Sequence, residues 1–158
     1  MTKKSCRYGG LALLLAALSF CAVERRWFTT NDVTTGQTPE YPELQPRIYA
    51  ADLNATRQAA EAACASLRRW RIVSTPDAPE LHAEVRTALF SFVDDVTVRF
   101  EPLPSFAAPA PTRVIIRSRS RVGKGDLGEN ARHIRALQAA MDARLKTMNP
   151  QMTQIFTD

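Results

Sequence analysis

The sequence predicts an α+β fold: an antiparallel sheet of four to five strands with two helices packed on one face, in a helix-grip-like arrangement. Three observations predict it. Polar and apolar residues alternate through successive short segments in the middle of the chain, the mark of strands with one buried and one wet face. An alanine-rich segment before them and a longer segment after them carry apolar residues at helical spacing. The alternating segments are joined by short connections, so sequence neighbours pair antiparallel, and the order helix, strands, helix belongs to the α+β class.

The chain divides into a leader (1–23), an extended Thr/Pro-rich strap (24–46), one domain (47–148) and a tail (149–158). Lys3, Lys4 and Arg7 precede an uncharged run from Tyr8 to Val23, the n-region and h-region of a signal peptide. Sixteen residues fall short of the roughly 20 that cross a bilayer core as a helix. Three outcomes fit the run. It is cut after Ser19, lipidated at Cys21 despite the bulky Phe20 beside it, or kept as a short anchor with Arg25, Arg26 and Trp27 at the far interface. Each implies export, to the periplasm or the outer face of a bacterial membrane, with membrane association through the N-terminus.

The pI of about 9.5 and net charge of +5 suggest a polyanion partner. Their placement argues otherwise. From Glu24 onward 18 basic residues meet 16 acidic ones, so most of the excess lies in the leader and nucleic acid is not an expected partner. Cys64 is the one cysteine beyond the leader and sits among alanines, which fits a small core residue.

In the strap, Trp27, Phe28 and Tyr41 suggest docking against the domain, and residues 47–50 suit a short edge strand. The first helix is capped by Asp52 or Asn54, with Thr56, Ala60, Ala63, Leu67 and Trp70 on one stripe. Strands follow at 70–75 and at 81–90, where Leu81, Ala83, Val85 and Thr87 oppose His82, Glu84 and Arg86. In the next strand Val96, Val98 and Phe100 oppose Asp95, Thr97, Arg99 and Glu101, and residues 104–111 close a hairpin. In the last, Val114, Ile116, Ser118, Ser120 and Val122 oppose Arg113, Ile115, Arg117, Arg119 and Arg121. The final helix runs from about Leu127 to Met148, with Leu127, Ala131, Ile134, Met141, Leu145 and Met148 on its stripe and Asn149-Pro150 ending it.

Gly123, Gly125 and Gly128 match a dinucleotide fingerprint in spacing but not in context. The strand before them is half wet, no second strand follows the helix, and Asp142, the nearest acidic candidate, lies inside it. The same residues suit a strand–turn–helix corner. Gly123 and Gly125 supply positive φ, Asp126 and Glu129 form a capping box, Gly128 allows close approach, and Asn130 bonds back to the turn.

Four arginines on one strand face repel one another unless carboxylates intervene, and Glu84, Asp95 and Glu101 are placed to do so. Any guanidinium left over would suit an anionic ligand, a lipid headgroup or an envelope protein, with Arg117, Arg119, Arg121, Lys124 and Asn130 as the binding residues. Asp94 and Asp95 face opposite ways, so they form no shared-proton pair. His82 and His133 sit on different elements without metal-ligand spacing. No catalytic set, metal site or cofactor site is read.

"TALFSFVDDVTVRF" and "VIIRSRSRVGKGDLGENARHIRAL" together resemble the domain-of-unknown-function 1499 family. The matching positions are Phe92, Asp94 and Asp95; Arg117, Ser118, Ser120 and Arg121; Gly123, Asp126, Leu127, Gly128 and Asn130; and Arg132 with Ile134. Arg119, where a small residue is usual, and His133 depart from the pattern. The resemblance implies an exported or membrane-associated bacterial protein of unknown activity and brings no catalytic residues. The expectation is a non-catalytic envelope domain that binds through its basic strand. The alternative is a hydrolase using Asp94, Asp95 or Asp126 in a pocket between helix and sheet.

Overall fold

The structure is a computed structural model that describes residues 29–148 apart from 77, 88–90 and 106–108. The leader with Cys21, the aromatic pair Trp27 and Phe28, and the tail lie outside the described residues. The elements are β1 (Asp32–Thr34), β2 (Arg47–Tyr49), α1 (Leu53–Ser66), β3 (Trp70–Ile72), β4 (Leu81–Arg86), β5 (Val93–Pro102), β6 (Thr112–Ser120) and α2 (Glu129–Met148).

Every pairing is antiparallel, in the order β3-β4-β5-β6. β1 and β2 both pair with the outer edge of β6, opposite Arg117–Arg119 and Thr112–Val114 respectively. They lie end to end along it. The sheet therefore has six strands rather than the expected four to five, because the strap supplies one. Three residues are too short to show alternation, yet β1 buries Val33 completely. Beyond β1 the strap stays hydrogen-bonded: Thr35 N–H donates to the Ile116 carbonyl at 3.0 Å, and Ile116 N–H donates to Thr35 Oγ1 at 3.1 Å. Gly36 (φ 70°) then turns the chain where a Cβ would stand 2.9 Å from Pro46, and Tyr41 and Leu44 are buried as the strap returns.

One face of the sheet is the core. Leu81, Ala83, Val85, Val96, Val98, Phe100, Val114 and Ile116 are buried beneath the two helices, with the alternation read from sequence. The Asp52 carboxylate caps α1 by accepting the Ala55 N–H at 2.8 Å. Thr56, Ala59, Ala60, Ala63 and Cys64 form its buried face, and these small side chains let it lie close to α2. The helix ends at Ser66, so Leu67 and Trp70 do not continue its stripe. Arg69 (φ 68°) reverses the chain and Trp70 opens β3.

On α2, Ala131, Ile134, Leu137, Met141 and Leu145 are buried as one stripe. Asp142 accepts the Tyr49 hydroxyl at 2.7 Å and stands 3.7 Å from Arg47, which pins β2 to the helix. Leu127 is the exception to the expected stripe. It precedes the helix at φ 54° and is 48% exposed. A left-handed conformation costs a branched side chain about 1 kcal/mol or more, and no burial offsets it here. Val122 likewise lies past the end of β6 and is exposed.

Leu137→Ala is expected to lower the unfolding free energy by about 2–5 kcal/mol in urea titration. Leu127→Asn, which suits the left-handed conformation better, is expected to raise it by about 0.5–1 kcal/mol.

Candidate functional site

Antiparallel register decides which charges meet on the open face of the sheet. Arg113 stands opposite Glu101, Arg117 opposite Thr97, and Arg119 opposite Asp95, while Asp32 of β1 stands opposite Arg119 from the other side. Arg117 clasps Asp32 with two bonds, Nε to Oδ1 at 2.9 Å and Nη2 to Oδ2 at 2.5 Å. Arg121 holds Asp95 in the same two-pronged way at 2.9 and 2.6 Å, and its Nη2 also donates to Glu84 at 2.8 Å. Glu84 accepts from Arg71 at 2.6 Å as well. Arg99 donates to Glu80 at 2.8 Å, and Arg113 stands 3.6 Å from Glu101.

The electrostatics follow these contacts. The bond from Arg117 holds the Asp32 carboxyl below its usual range, and Arg71 followed by Arg121 does the same for Glu84. Glu84, Asp95 and Glu101 are the partners that alternation indicates. Asp32 and Glu80 are additions, invisible in sequence because one lies in the strap and the other in a turn. Seven arginines (Arg71, Arg86, Arg99, Arg113, Arg117, Arg119 and Arg121) share this face with five carboxylates, so it stays positive. Arg119 is the least compensated of the paired ones. Its carboxylate contact among the described residues is 3.9 Å, to an Asp32 oxygen that Arg117 already occupies.

A hollow of about 740 Å³ opens on this face, lined by Asp32, Thr34, Gln37, Thr38, Glu80, His82, Thr97, Arg99, Ile115 and Arg117. Its walls combine two guanidiniums, two carboxylates, three hydroxyls and an imidazole. A second cavity of about 360 Å³ lies between β2 and α2. Neither is lined by Asp94, Asp95 or Asp126, the carboxylates of the hydrolase alternative.

Asp94 lies on the opposite face, 1% exposed, in a polar cluster under the start of α2. Asn130 is the hub. Its Nδ2 donates to the Asn31 carbonyl at 3.0 Å and to Ser120 Oγ at 2.9 Å, while Oδ1 accepts the Ser118 hydroxyl at 2.6 Å. Fully buried and committed to these bonds, it is not on the basic edge where sequence placed it. Asp126 accepts the N–H groups of Gly128 and Asn130 at 2.8 and 2.7 Å and so caps α2. Glu129 does not complete the capping box; it opens the helix and pairs with Arg132 at 2.7 Å. Positive φ falls at Gly123 (91°) and Gly128 (78°), not at Gly125, and exposed Lys124 has no ion pair among the described residues.

Ser118, His133 and Asp94 come close to one another, but not as a catalytic relay. Nδ1 of His133 lies 3.3 Å from Ser118 Oγ and 3.6 Å from Asp94 Oδ2. A relay needs one ring nitrogen for the nucleophile and the other for the acid. Ser118 is also wholly buried, with its proton directed to Asn130. Burial pushes Asp94 up and His133 down; a hydrogen bond with Ser120 only partly restrains the first, and the charge of Asp94 partly restrains the second. Oδ2 of Asp94 makes no hydrogen bond among the described residues. Trp70 packs edge-on against the imidazole at 5.9 Å. Cys64, on the buried face of α1, has its thiol pushed up to about 12 by burial, which makes it inert. No group of three or more potential metal ligands occurs among the described residues.

Residues 22–141 match a family model described as a protein of unknown function (DUF1499). The chain belongs to this family. Among curated proteins and solved structures, no match to it was found. The residues that carry the DUF1499 resemblance fall mostly into this cluster and corner: Asp94, Ser118, Ser120, Asp126, Gly128 and Asn130 build the joint between β6 and α2. Asp95 and Arg121 clamp the open face beside it. The sequence signature of DUF1499 in this chain is thus largely an architectural one.

His133 generates a pH dependence. Its folded pKa lies below 6.5, so the unfolded chain takes up the proton first, and the contribution is present above pH 6.5 and lost as pH falls through the folded value. Asp94, raised, acts with the opposite sign above pH 3.8. The natural chain is therefore expected to lose stability relative to His133→Gln as pH falls from 7 to 5, measured by urea midpoints at each pH.

Proposed function

We propose that the chain is an exported or membrane-anchored envelope domain without catalysis of its own, which binds an anionic ligand or partner on the arginine-bearing face of its sheet. The basic head and uncharged run of residues 1–23 support export. Among the described residues no helix is long and apolar enough to cross a membrane, so anchorage would rest with the leader.

The hollow beside Arg117 carries the binding part of the proposal. Arg117 and Arg99 reach its wall already oriented by Asp32 and Glu80, and each guanidinium keeps N–H groups beyond those its carboxylate engages. Orientation in advance lowers the conformational cost of binding. Arg119, next along the strand, adds a positive charge that its neighbours leave almost uncompensated. An anion with two or more oxygens, carried on a polar body that the Thr34, Thr38 and Thr97 hydroxyls can contact, matches these walls.

Calorimetric titration of the protein with inorganic phosphate and with citrate tests the reading. At least one is expected to give a saturable heat. Arg117→Gln combined with Arg119→Gln is expected to weaken it at least about tenfold, the scale of one lost charge-assisted bond. Because Arg117 and Arg119 are half exposed, the unfolding midpoint of that variant is expected to stay close to the parent's. No heat with either anion, or a heat the double variant retains, contradicts the proposal.

A further inference from the structure

Three exposed apolar residues lie at the end of the sheet where β6 passes into α2: Phe92 just before β5, and Val122 and Leu127 in the β6–α2 connection. The bond from Arg121 N–H to the Val93 carbonyl continues the β5–β6 register and places Phe92 beside Val122. Phe92 is 47% exposed and Val122 is 58% exposed. Leu127, six residues before His133, shares the corner and holds its left-handed conformation with the side chain turned outward. Neither backbone preference nor packing accounts for leucine there. The remaining exposed large apolar residues, Ile48, Leu53 and Val73, are scattered over β2, α1 and the far end of β3.

The same end is basic. Arg86 closes β4, its N–H bonded to the Arg69 carbonyl, and Lys124 sits in the glycine turn. Arg69, Arg86 and Lys124 are exposed, and none has an ion pair among the described residues. The described chain also begins here. Asn31 Nδ2 donates to the Gly123 carbonyl at 2.5 Å and its carbonyl accepts the Ser120 N–H at 2.9 Å. Six residue steps separate Val23 from Thr29, a reach of at most about 20 Å.

We propose that this end of the sheet lies on the surface of an anionic phospholipid membrane, with Phe92, Val122 and Leu127 among the headgroups and Arg69, Arg86 and Lys124 against their phosphates. The inference rests on residues 1–23 acting as the anchor. Apolar side chains combined with unpaired cations on one rim are the chemistry that such an interface recognises. The tether then selects this rim from all the others, because the chain emerges beside it. The open face of the sheet, with Arg99 and Arg117, stays clear of the bilayer and free to bind.

The test uses the full chain reconstituted in vesicles of phosphatidylglycerol with phosphatidylcholine. The photocrosslinker p-benzoylphenylalanine is placed at Val122, at Leu127 or, as a control, at Val73, which is 46% exposed just past β3 and level with Arg117 in the register, away from the rim. Lipid adducts at Val122 and Leu127 are expected to exceed those at Val73 at least fivefold. They are expected to fall severalfold in phosphatidylcholine alone, in high salt, and in the Arg86→Glu, Lys124→Glu variant. Equal yields at all three positions, yields indifferent to lipid charge, or crosslinks to a second copy of the chain in place of lipid overturn the inference. Anion binding at Arg117 and Arg119 is measured separately by calorimetry, so failure of one proposal leaves the other distinguishable.

Discussion

The buried amide of Asn130 is the constraint on which the rest of the molecule depends. It stands at the first turn of α2, yet its bonds run to β6 and to the strap residue Asn31. Three segments meet at one side chain that water does not reach, and one of them, the strap, lies 99 residues away in sequence. A buried amide left unpaired costs about 1–3 kcal/mol, so any misplacement of helix, strand or strap is penalised. Hydrophobic burial alone would tolerate α2 sliding by a turn over the sheet. The amide does not tolerate it, and Asp126 fixes the helix start by accepting two N–H groups of the same corner.

The open face works differently. Its ion pairs are exposed, and exposed pairs each contribute at most about 1 kcal/mol. Their effect is conformational: Asp32 and Asp95 each hold an arginine in a two-pronged grip, so side chains that would otherwise sweep a wide arc point in set directions. The charges that stabilise the fold and those available to a ligand are therefore largely the same guanidiniums, seen from two sides. Two side chains are incompletely matched by their surroundings. Arg119 adds a cation with only a distant carboxylate, and His133 adds a titratable ring beside a carboxylate oxygen that has no bond.

Alternation in β4, β5 and β6 was legible because each strand is six residues or longer and buries one face, so parity alone separates Val96 from Asp95 and Ser118 from Arg117. Parity also places Asp94 inward, which only the structure turns into a polar cluster, since nothing in β5 reveals that Ser120 and His133 stand over it. Strand β1 escaped notice because three residues carry no period, and with it escaped Asp32, the partner of Arg117. Leu127 was misplaced because apolar spacing cannot register a left-handed backbone. Glu129 looked like the reciprocal half of a capping box because spacing was right; the positive φ at Leu127 and Gly128 moves the helix start past the point where that bond can form. Parity puts Arg113, Arg117 and Arg119 on one face of β6, as the register has them, whereas Asn130, close to them in sequence, is carried underneath by the helix.

The end-to-end placement of β1 and β2 along β6 bears on how the chain reaches its fold. Asp32 pairs with Arg119, and Asn31 meets Asn130, so the first strand finds its partner nearly a hundred residues later. Contacts of such long sequence separation form slowly, because a large loop must close before they repay its entropy. The strands β3 to β6 can assemble as a meander from neighbours, but the edge remains open until the helix after β6 exists to present its amide. A chain emerging from the ribosome thus holds its first strand idle, unpaired and compatible with threading through a narrow passage, until almost the last element has been made.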